Sequence, residues 1–287
     1  MSEKIYILLP VHNRREITRR FIDFLNVQTH QNFHLVLIDD GSCDGTADMV
    51  RENIAALTVI KGTGDWWWAG SLQQGLMWLI GQGLPPSTLI LIINDDTLIE
   101  ANFLDMAVSI IGRRKRTLLL AQCFSHQNGR LMDAGVHVDW RRWSHVQAET
   151  VSSINCLSTR GLFLHVEDFI EIGGFYPHLL PHYLSDYEFT IRAHRVGMDL
   201  ITDPRLKLWL DEETTGCHKI VSGPFLAKMR ELFSNRSVFN PINNLAYVVL
   251  ACPWPWIPIN MARVIMESMI IVAKLLVYRF HVGRNCS

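Results

Sequence analysis

Two aliphatic runs in this sequence end in adjacent carboxylates. Leu91-Ile92-Ile93-Asn94 runs into Asp95-Asp96-Thr97, and His34-Leu35-Val36-Leu37-Ile38 runs into Asp39-Asp40-Gly41-Ser42. Runs of this kind between turn signals read as buried strands, and a charged pair belongs at the C-terminal exit of such a strand. In an open α/β sheet that edge is where ligands bind. Carboxylate oxygens gathered there can hold Mg²⁺ or Mn²⁺, and the cation can in turn hold a diphosphate. One such exit reads equally well as a polar loop with an Asp helix cap. Two exits in one sheet align four carboxylates, which weighs against the polar-loop reading.

Three further groups could do chemistry. Ser185 has the type and place of an N-cap for a helix from Asp186 to Val196 that Gly197 ends, with Glu188 and Arg192 as an i,i+4 pair. Asp186 then sits in the first helical turn, where the macrodipole favours the ionised carboxylate, and an accessible ionised carboxylate can act as a general base. Trp66-Trp67-Trp68 lies between Lys61-Gly62-Thr63-Gly64-Asp65 and Ala69-Gly70-Ser71, on an expected loop opening into a helix from Leu72 to Ile80. Three adjacent tryptophans cannot all face one core, so at least one is expected to serve as a stacking platform for a sugar. His218 follows the loop Thr214-Thr215-Gly216-Cys217 and could complete a metal site, although a lone His in such a loop is more often an ordinary surface residue.

The elements that must position these groups are those of an α/β chain. The first strand, Ile5-Tyr6-Ile7-Leu8-Leu9, is expected to stop at Pro10, ahead of Val11-His12-Asn13-Arg14. The next helix carries Ile17, Phe21, Phe24 and Leu25 on one face and leads through Gln28-Thr29 to the second strand, a βαβ unit of about 30 residues. Asp44 or Thr46 is expected to cap the helix after that strand. Neither G-x-G-x-x-G nor G-x-x-x-x-G-K-[ST] occurs, so a bound nucleotide would rest on carboxylates and a metal, not on a glycine cradle. Further strands are expected at Leu118–Ala121, Gly135–Val138, Gly161–Leu164 and Leu206–Leu210, with a turn at Gly173–Pro177. His137 and His145 read as surface or satisfied core residues.

With 48% hydrophobic and 19% charged residues in 287, a sizeable core is available and global disorder is excluded. A net charge of −1 gives no electrostatic case for a nucleic-acid partner. The basic run Arg113–Arg116 follows an apolar helical pattern and reads as its solvated end. No two of the six cysteines have C-x-x-C spacing and no signal peptide precedes the first strand, which points to free thiols in a reducing cytoplasmic compartment. Leu245 to Ala262 has no charge but is broken by Pro253, Pro255 and Pro258, and the helix expected after it carries Arg263, Glu267 and Lys274, so neither is a clean span. This apolar helical extension is expected to dock on a membrane surface or on a partner chain, a second copy included.

The order of these motifs resembles the family 2 glycosyltransferases, and within them the bacterial rhamnosyltransferase-like members. The matching pieces are Leu9-Pro10-Val11-His12-Asn13, Asp39-Asp40-Gly41-Ser42 with Asp44-Gly45-Thr46, Asn94-Asp95-Asp96, Gly161-Leu162-Phe163, Gly173-Gly174-Phe175, and Tyr183-Leu184-Ser185-Asp186 before Arg192-Ala193. The resemblance implies a GT-A fold, a Rossmann-like mixed sheet flanked by helices, over residues 1–225, with a helical region over 226–287. It implies an inverting transfer of a sugar such as rhamnose or galactose from a UDP- or dTDP-sugar to a hydroxyl of a glycan or lipid-linked acceptor. It assigns nucleotide contacts to Pro10, Val11, Asn13, Asp39, Asp40, Asp65, Gly70, Asn94 and Asp95. It gives Mg²⁺ or Mn²⁺ to Asp96 and His218, the catalytic base to Asp186, and acceptor or sugar contacts to Trp66, Trp67, Trp68 and Tyr183. Two departures stand out: Ser185-Asp186 replaces the family's Glu-Asp pair, and Gly174-Phe175-Tyr176-Pro177 replaces its Gly-Phe-Asp-Glu turn.

A sugar-1-phosphate nucleotidyltransferase would want a Gly-rich basic loop after the first strand, which Pro10-Val11-His12-Asn13 does not supply. A non-catalytic sugar-nucleotide-binding protein would not need both Asp96 and Asp186. A processive membrane synthase would need several clean spans and a Gln-x-x-Arg-Trp segment, and the sequence has neither.

Overall fold

The computed structural model describes residues 3–112, 114–214 and 225–284. Its N-terminal part alternates β1 (Ile5–Val11), α1 (Arg15–Asn26), β2 (Phe33–Asp39), α2 (Thr46–Asn53), β3 (Leu57–Lys61), α3 (Trp67–Gly81) and β4 (Leu89–Ile92). These four strands run parallel in the order β3-β2-β1-β4. Then come β5 (Thr97–Ile99), α4 (Phe103–Ile111), β6 (Thr117–Ser125), β7 (Leu131–Asp133), β8 (Val136–Asp139) and β9 (Ser144–Gln147). After these come β10 (Leu162–His165), α5 (Val166–Ile172), α6 (Ser185–Arg195) and β11 (Asp199–Leu210). The sheet continues β4-β10-β6-β11-β5, with β10 antiparallel to both its neighbours, while β8 and β9 form a separate hairpin. The result is a mixed sheet flanked by helices, the GT-A fold.

Side chains alternate along β1 as a sheet buried on both faces requires. Ile5, Ile7, Leu9 and Val11 join the core under α1, α2 and α4, whereas Tyr6 and Leu8 join the one under α3, α5 and α6. β1 does not stop at Pro10. It runs to Val11, because Pro10 pairs only with Ile38 on the β2 side, whereas pairing with β4 ends at Leu8. The missing N–H of Pro10 therefore interrupts no ladder on the β4 side.

The topology puts the exits of β1, β2, β3, β4 and β6 on one edge. β10 runs the other way, so its N-terminal approach, Arg160-Gly161, reaches that same edge.

α7 (Phe225–Leu232), α8 (Pro241–Ala251) and α9 (Ile257–Arg284) complete the chain. α8 starts on Asn240, whose side chain accepts from the amides of Ile242 and Asn243. Tyr247, Val248 and Ala251 of α8 and Val264 of α9 pack with Val136, Val138, Trp140 and Ile191 into a third core. Other apolar side chains of this region are exposed: Val249, Trp254, Met266 and Met269, Trp254 by 82%. Among the described residues no helix is long and apolar enough to cross a membrane. Arg113 lies outside the described residues, and Arg116 of the same run pairs with Glu171 at 2.6 Å.

Candidate active site

The β2 exit is a cavity of about 400 Å³ between the turn after Asp39 and the end of β3, lined by Asp39, Ser42, Thr46, Arg51 and Lys61. Asp39 accepts from the Ser42 amide at 2.9 Å. Asn13 ties the β1 exit to the same turn: its amide donates to Ser42 Oγ and its Oδ1 accepts from the Cys43 amide, each at 2.9 Å. Asp44 accepts from the amide and hydroxyl of Thr46 at the start of α2 and from the Arg15 amide at the start of α1.

Asp40 faces away from this cavity. Its carboxylate accepts from the amides of Gly64 (2.8 Å), Trp66 (2.9 Å) and Trp67 (3.1 Å), and the residue is 5% exposed. These three amide donors make Asp40 the anchor of the loop from Gly62 to Trp67. The loop it anchors is tight: a Cβ on Gly62 would lie 2.6 Å from Asp40 Oδ1. Asp40→Ala is expected to lose about 2 kcal/mol or more of stability, because buried amides without an acceptor cost roughly 1–3 kcal/mol each. Asp40→Asn, which keeps one carbonyl oxygen, should lose less. Denaturant unfolding of the two variants checks the order.

The same carboxylate changes where the tryptophans sit. α3 begins at Trp67, not at Leu72, so Trp67, Trp68, Gly70 and Ser71 are helical and only Trp66 precedes the helix. Asp40 supplies the acceptor for the first-turn amides, which a loop reading could not foresee. Trp66 and Trp68 pack against the core, and Trp68 Nε1 donates to Thr159 Oγ1 at 3.1 Å. Trp67 instead faces His182, at 6.0 Å between ring centroids, and carries the Arg236 guanidinium 5.5 Å above its ring. Gly70 is buried beside Trp66, and Asp65 is exposed and accepts from Thr63 Oγ1.

At the β4 exit Asp95 and Asp96 have different surroundings. Asp95 takes both oxygens' bonds from Arg14 Nε, at 2.8 and 3.1 Å, and a third from Thr18 at 2.8 Å. Burial pushes its carboxyl up, and the Arg14 guanidinium partly offsets that. Asp96 is 7% exposed; its Oδ2 lies 3.7 Å from Arg14 Nη2, and its buried Oδ1 has no hydrogen-bond partner. A buried carboxylate oxygen with no donor is costly unless a cation completes it. Asn94 is half-buried and its carbonyl accepts from Thr97 Oγ1.

The second cavity, about 490 Å³, holds Asp186 with Asp133, Ser158, Arg160 and Tyr183. Ser185 is the first residue of α6 and does not cap it. Leu184, at φ +67°, precedes the helix, and the Ser185 hydroxyl donates back to the His182 carbonyl. Glu188 and Arg192 form the expected pair, at 2.8 Å. The macrodipole does not hold the Asp186 pKa down: burial raises it to about 6, although its Oδ1 accepts from the Tyr187 amide and Arg160 favours the charged form. Desolvation outweighs both here.

Sequence reading missed Arg14, Asp133 and Arg160. Asp133 accepts from the Gly135 amide and Ser158 Oγ, and the buried Arg160 Nε has no acceptor. Only the strand order reveals them: β1 beside β4 brings Arg14 to Asp95, and β6 beside β7 and β10 brings Asp133 and Arg160 together. His145, read as surface or satisfied, lines the Asp186 cavity and bonds Tyr247 Oη at 3.1 Å. His218 lies outside the described residues, and among the described residues no group of three metal-ligating side chains converges.

Residues 6–150, just over half of the chain, match the family model described as glycosyl transferase family 2. Glycosyltransferase GlyG of Streptococcus pneumoniae serotype 4 is 21% identical over 131 residues, 44% of this chain, and the chain spans 41% of its length. The mannosyltransferase PcManGT of Pyrobaculum calidifontis, solved with GDP-Man and Mn²⁺, matches at TM-score 0.52 and 17% identity over 97% of this chain and 80% of that one. GalNAc-T7, solved with UDP, GalNAc and Mn²⁺, matches at TM-score 0.61 and 14% identity over 86% of this chain and 50% of that one.

Proposed function

The chain belongs to the family 2 glycosyltransferases, and from that premise we propose that it is an inverting, metal-dependent enzyme that moves a sugar from a UDP- or dTDP-linked donor to a hydroxyl of a glycan or lipid-linked acceptor. The donor sugar is rhamnose, galactose or a similar hexose, and the setting is surface-polysaccharide synthesis. The observation that carries the reading is Asp186, a carboxylate with a pKa near 6 in a cavity that it lines together with Arg160, the residue leading into β10 at the sheet edge.

Asp186 takes the proton of the acceptor hydroxyl as that oxygen forms its bond to the anomeric carbon. The bond from that carbon to the diphosphate breaks on the opposite face, the electron pair leaves with the nucleoside diphosphate, and the configuration inverts. Asp96 Oδ1 fits a hard divalent cation, with His218 as the second proposed ligand; such an ion, when bound, neutralises charge growing on the diphosphate. Asp39, with Pro10, Val11 and Asn13 behind it, lines the cavity proposed for the nucleoside, and Asp40 shapes that cavity from behind. Asp65, Gly70 and Asn94 are the further proposed nucleotide contacts. Arg14 neutralises Asp95, which leaves Asp96 as the carboxylate with an oxygen to offer. Trp67 and Tyr183 are the proposed sugar contacts, with Trp66 and Trp68 as their packed support.

Incubating the purified protein with a panel of UDP-, dTDP- and GDP-sugars tests the reading. Hydrolysis of one donor, lost in Asp186→Asn, is expected; inertness toward the whole panel overturns it.

We extend the reading to residues 226–287, whose exposed apolar side chains Val249, Trp254, Met266 and Met269 suit the surface of a membrane that carries a lipid-linked acceptor. Full-length protein is expected to float with anionic liposomes, and Trp254→Glu to weaken flotation. A protein that never floats refutes the membrane contact.

A further inference from the structure

The lining of the Asp186 cavity is mixed. Its apolar groups are Val146 and Val238, 52% and 50% exposed, with half-buried Met132 and buried Val136. Asp133, Gln147, Ser158 and Arg160 supply donors and acceptors. Among the described residues its ionic groups leave a surplus of negative charge: two carboxylates, Asp133 and Asp186, with one guanidinium, Arg160. His145 adds no positive charge near neutral pH, because burial of its ring beside Tyr187 and Tyr247 pushes its pKa down.

A pyranose carries both kinds of group, C–H faces and hydroxyls around its rim. A phosphate or a uronate would need a surplus of cation, which the described residues of this cavity do not supply. We propose that the β8–β9 hairpin, through Val146 and Gln147, forms an acceptor subsite that takes an uncharged sugar unit and rejects phosphorylated or uronic ones. The inference rests on the glycosyltransferase reading and narrows its acceptor. The volume of about 490 Å³ lies within the roughly 300–1,000 Å³ of small-molecule sites. Val238 comes from the segment between α7 and α8, so that segment contributes to the lining of the subsite.

The experiment supplies the donor found by hydrolysis together with p-nitrophenyl glycosides as acceptor probes: glucoside, galactoside, rhamnoside and N-acetylglucosaminide against glucuronide and 6-phosphoglucoside. At least one neutral probe is expected to be glycosylated with a kcat/KM about tenfold or more above either acidic probe. Val146→Glu, a change at an exposed strand position, is expected to raise the KM for the neutral probe at least about tenfold more than the KM for the donor. Two results overturn the proposal: acidic probes used as well as or better than all neutral ones, or a Val146→Glu effect equal on both substrates. Donor hydrolysis with transfer to none of the probes also counts against it. No turnover of any donor, even by water, is a different result: it sinks the parent reading, and the subsite with it.

Discussion

Asp186→Asn is expected to lower sugar transfer by about 10²–10⁴-fold, the usual contribution of a positioned general base. Donor binding should stay close to wild type, because the nucleoside and diphosphate groups are assigned to the β2 and β4 exits and not to α6. The pH dependence follows from the raised pKa. The Asp186 carboxyl titrates near 6, so it is ionised and able to accept a proton above that value. Wild-type kcat should fall about tenfold per unit of pH below 6, since only the ionised fraction acts. The Asn variant should lose that acid limb. Calorimetry of nucleotide binding and a transfer assay across pH 4.5–8.5 check both parts. Unchanged turnover in the variant sinks the assignment, and a wild-type profile flat through pH 6 removes the titrating base.

Much of this arrangement was legible because it follows from local chemistry. An aliphatic strand cannot carry a buried carboxylate pair, so Asp39-Asp40 and Asp95-Asp96 had to mark strand ends, and parallel pairing put those ends on one edge. The division of labour within each pair was not legible. Asp40 and Asp95 have the same residue type as Asp39 and Asp96, yet three loop amides hold Asp40 and Arg14 holds Asp95. Those partners lie 24 to 81 residues away in sequence, where periodicity and spacing have no reach. The start of α3 failed for the same reason, since its first amides bond to Asp40 and not to a local cap. The Asp186 pKa ran against the helix-end expectation because burial, a tertiary property, outweighs a dipole. Asp133, Arg160 and His145 carry no motif at all and meet Asp186 only through the strand order and the β8–β9 hairpin.

Asp96→Ala is expected to weaken metal-supported donor use as strongly as removing the metal does, and the two changes should not add. In the wild-type protein, excess chelator should lower kcat/KM for the donor about 10²-fold or more, because a cation on the diphosphate is worth several kcal/mol of transition-state charge and about 1.4 kcal/mol is a factor of ten. The Ala variant should already sit at that lower level and should not respond to chelator. That non-additivity separates the two explanations for a weak variant: groups acting as one unit fail together, whereas independent groups contribute separately. The partner to watch is Arg14. With Asp96 gone, its Nη2 loses the nearby Asp96 carboxylate, but Asp95 still holds Nε through both oxygens, so the β4 exit should keep its shape. A melting temperature near wild type then assigns the loss to the ion, not to unfolding. Donor turnover in the wild type that is indifferent to chelator rules the metal out. A chelator response preserved in Asp96→Ala moves the metal to other ligands.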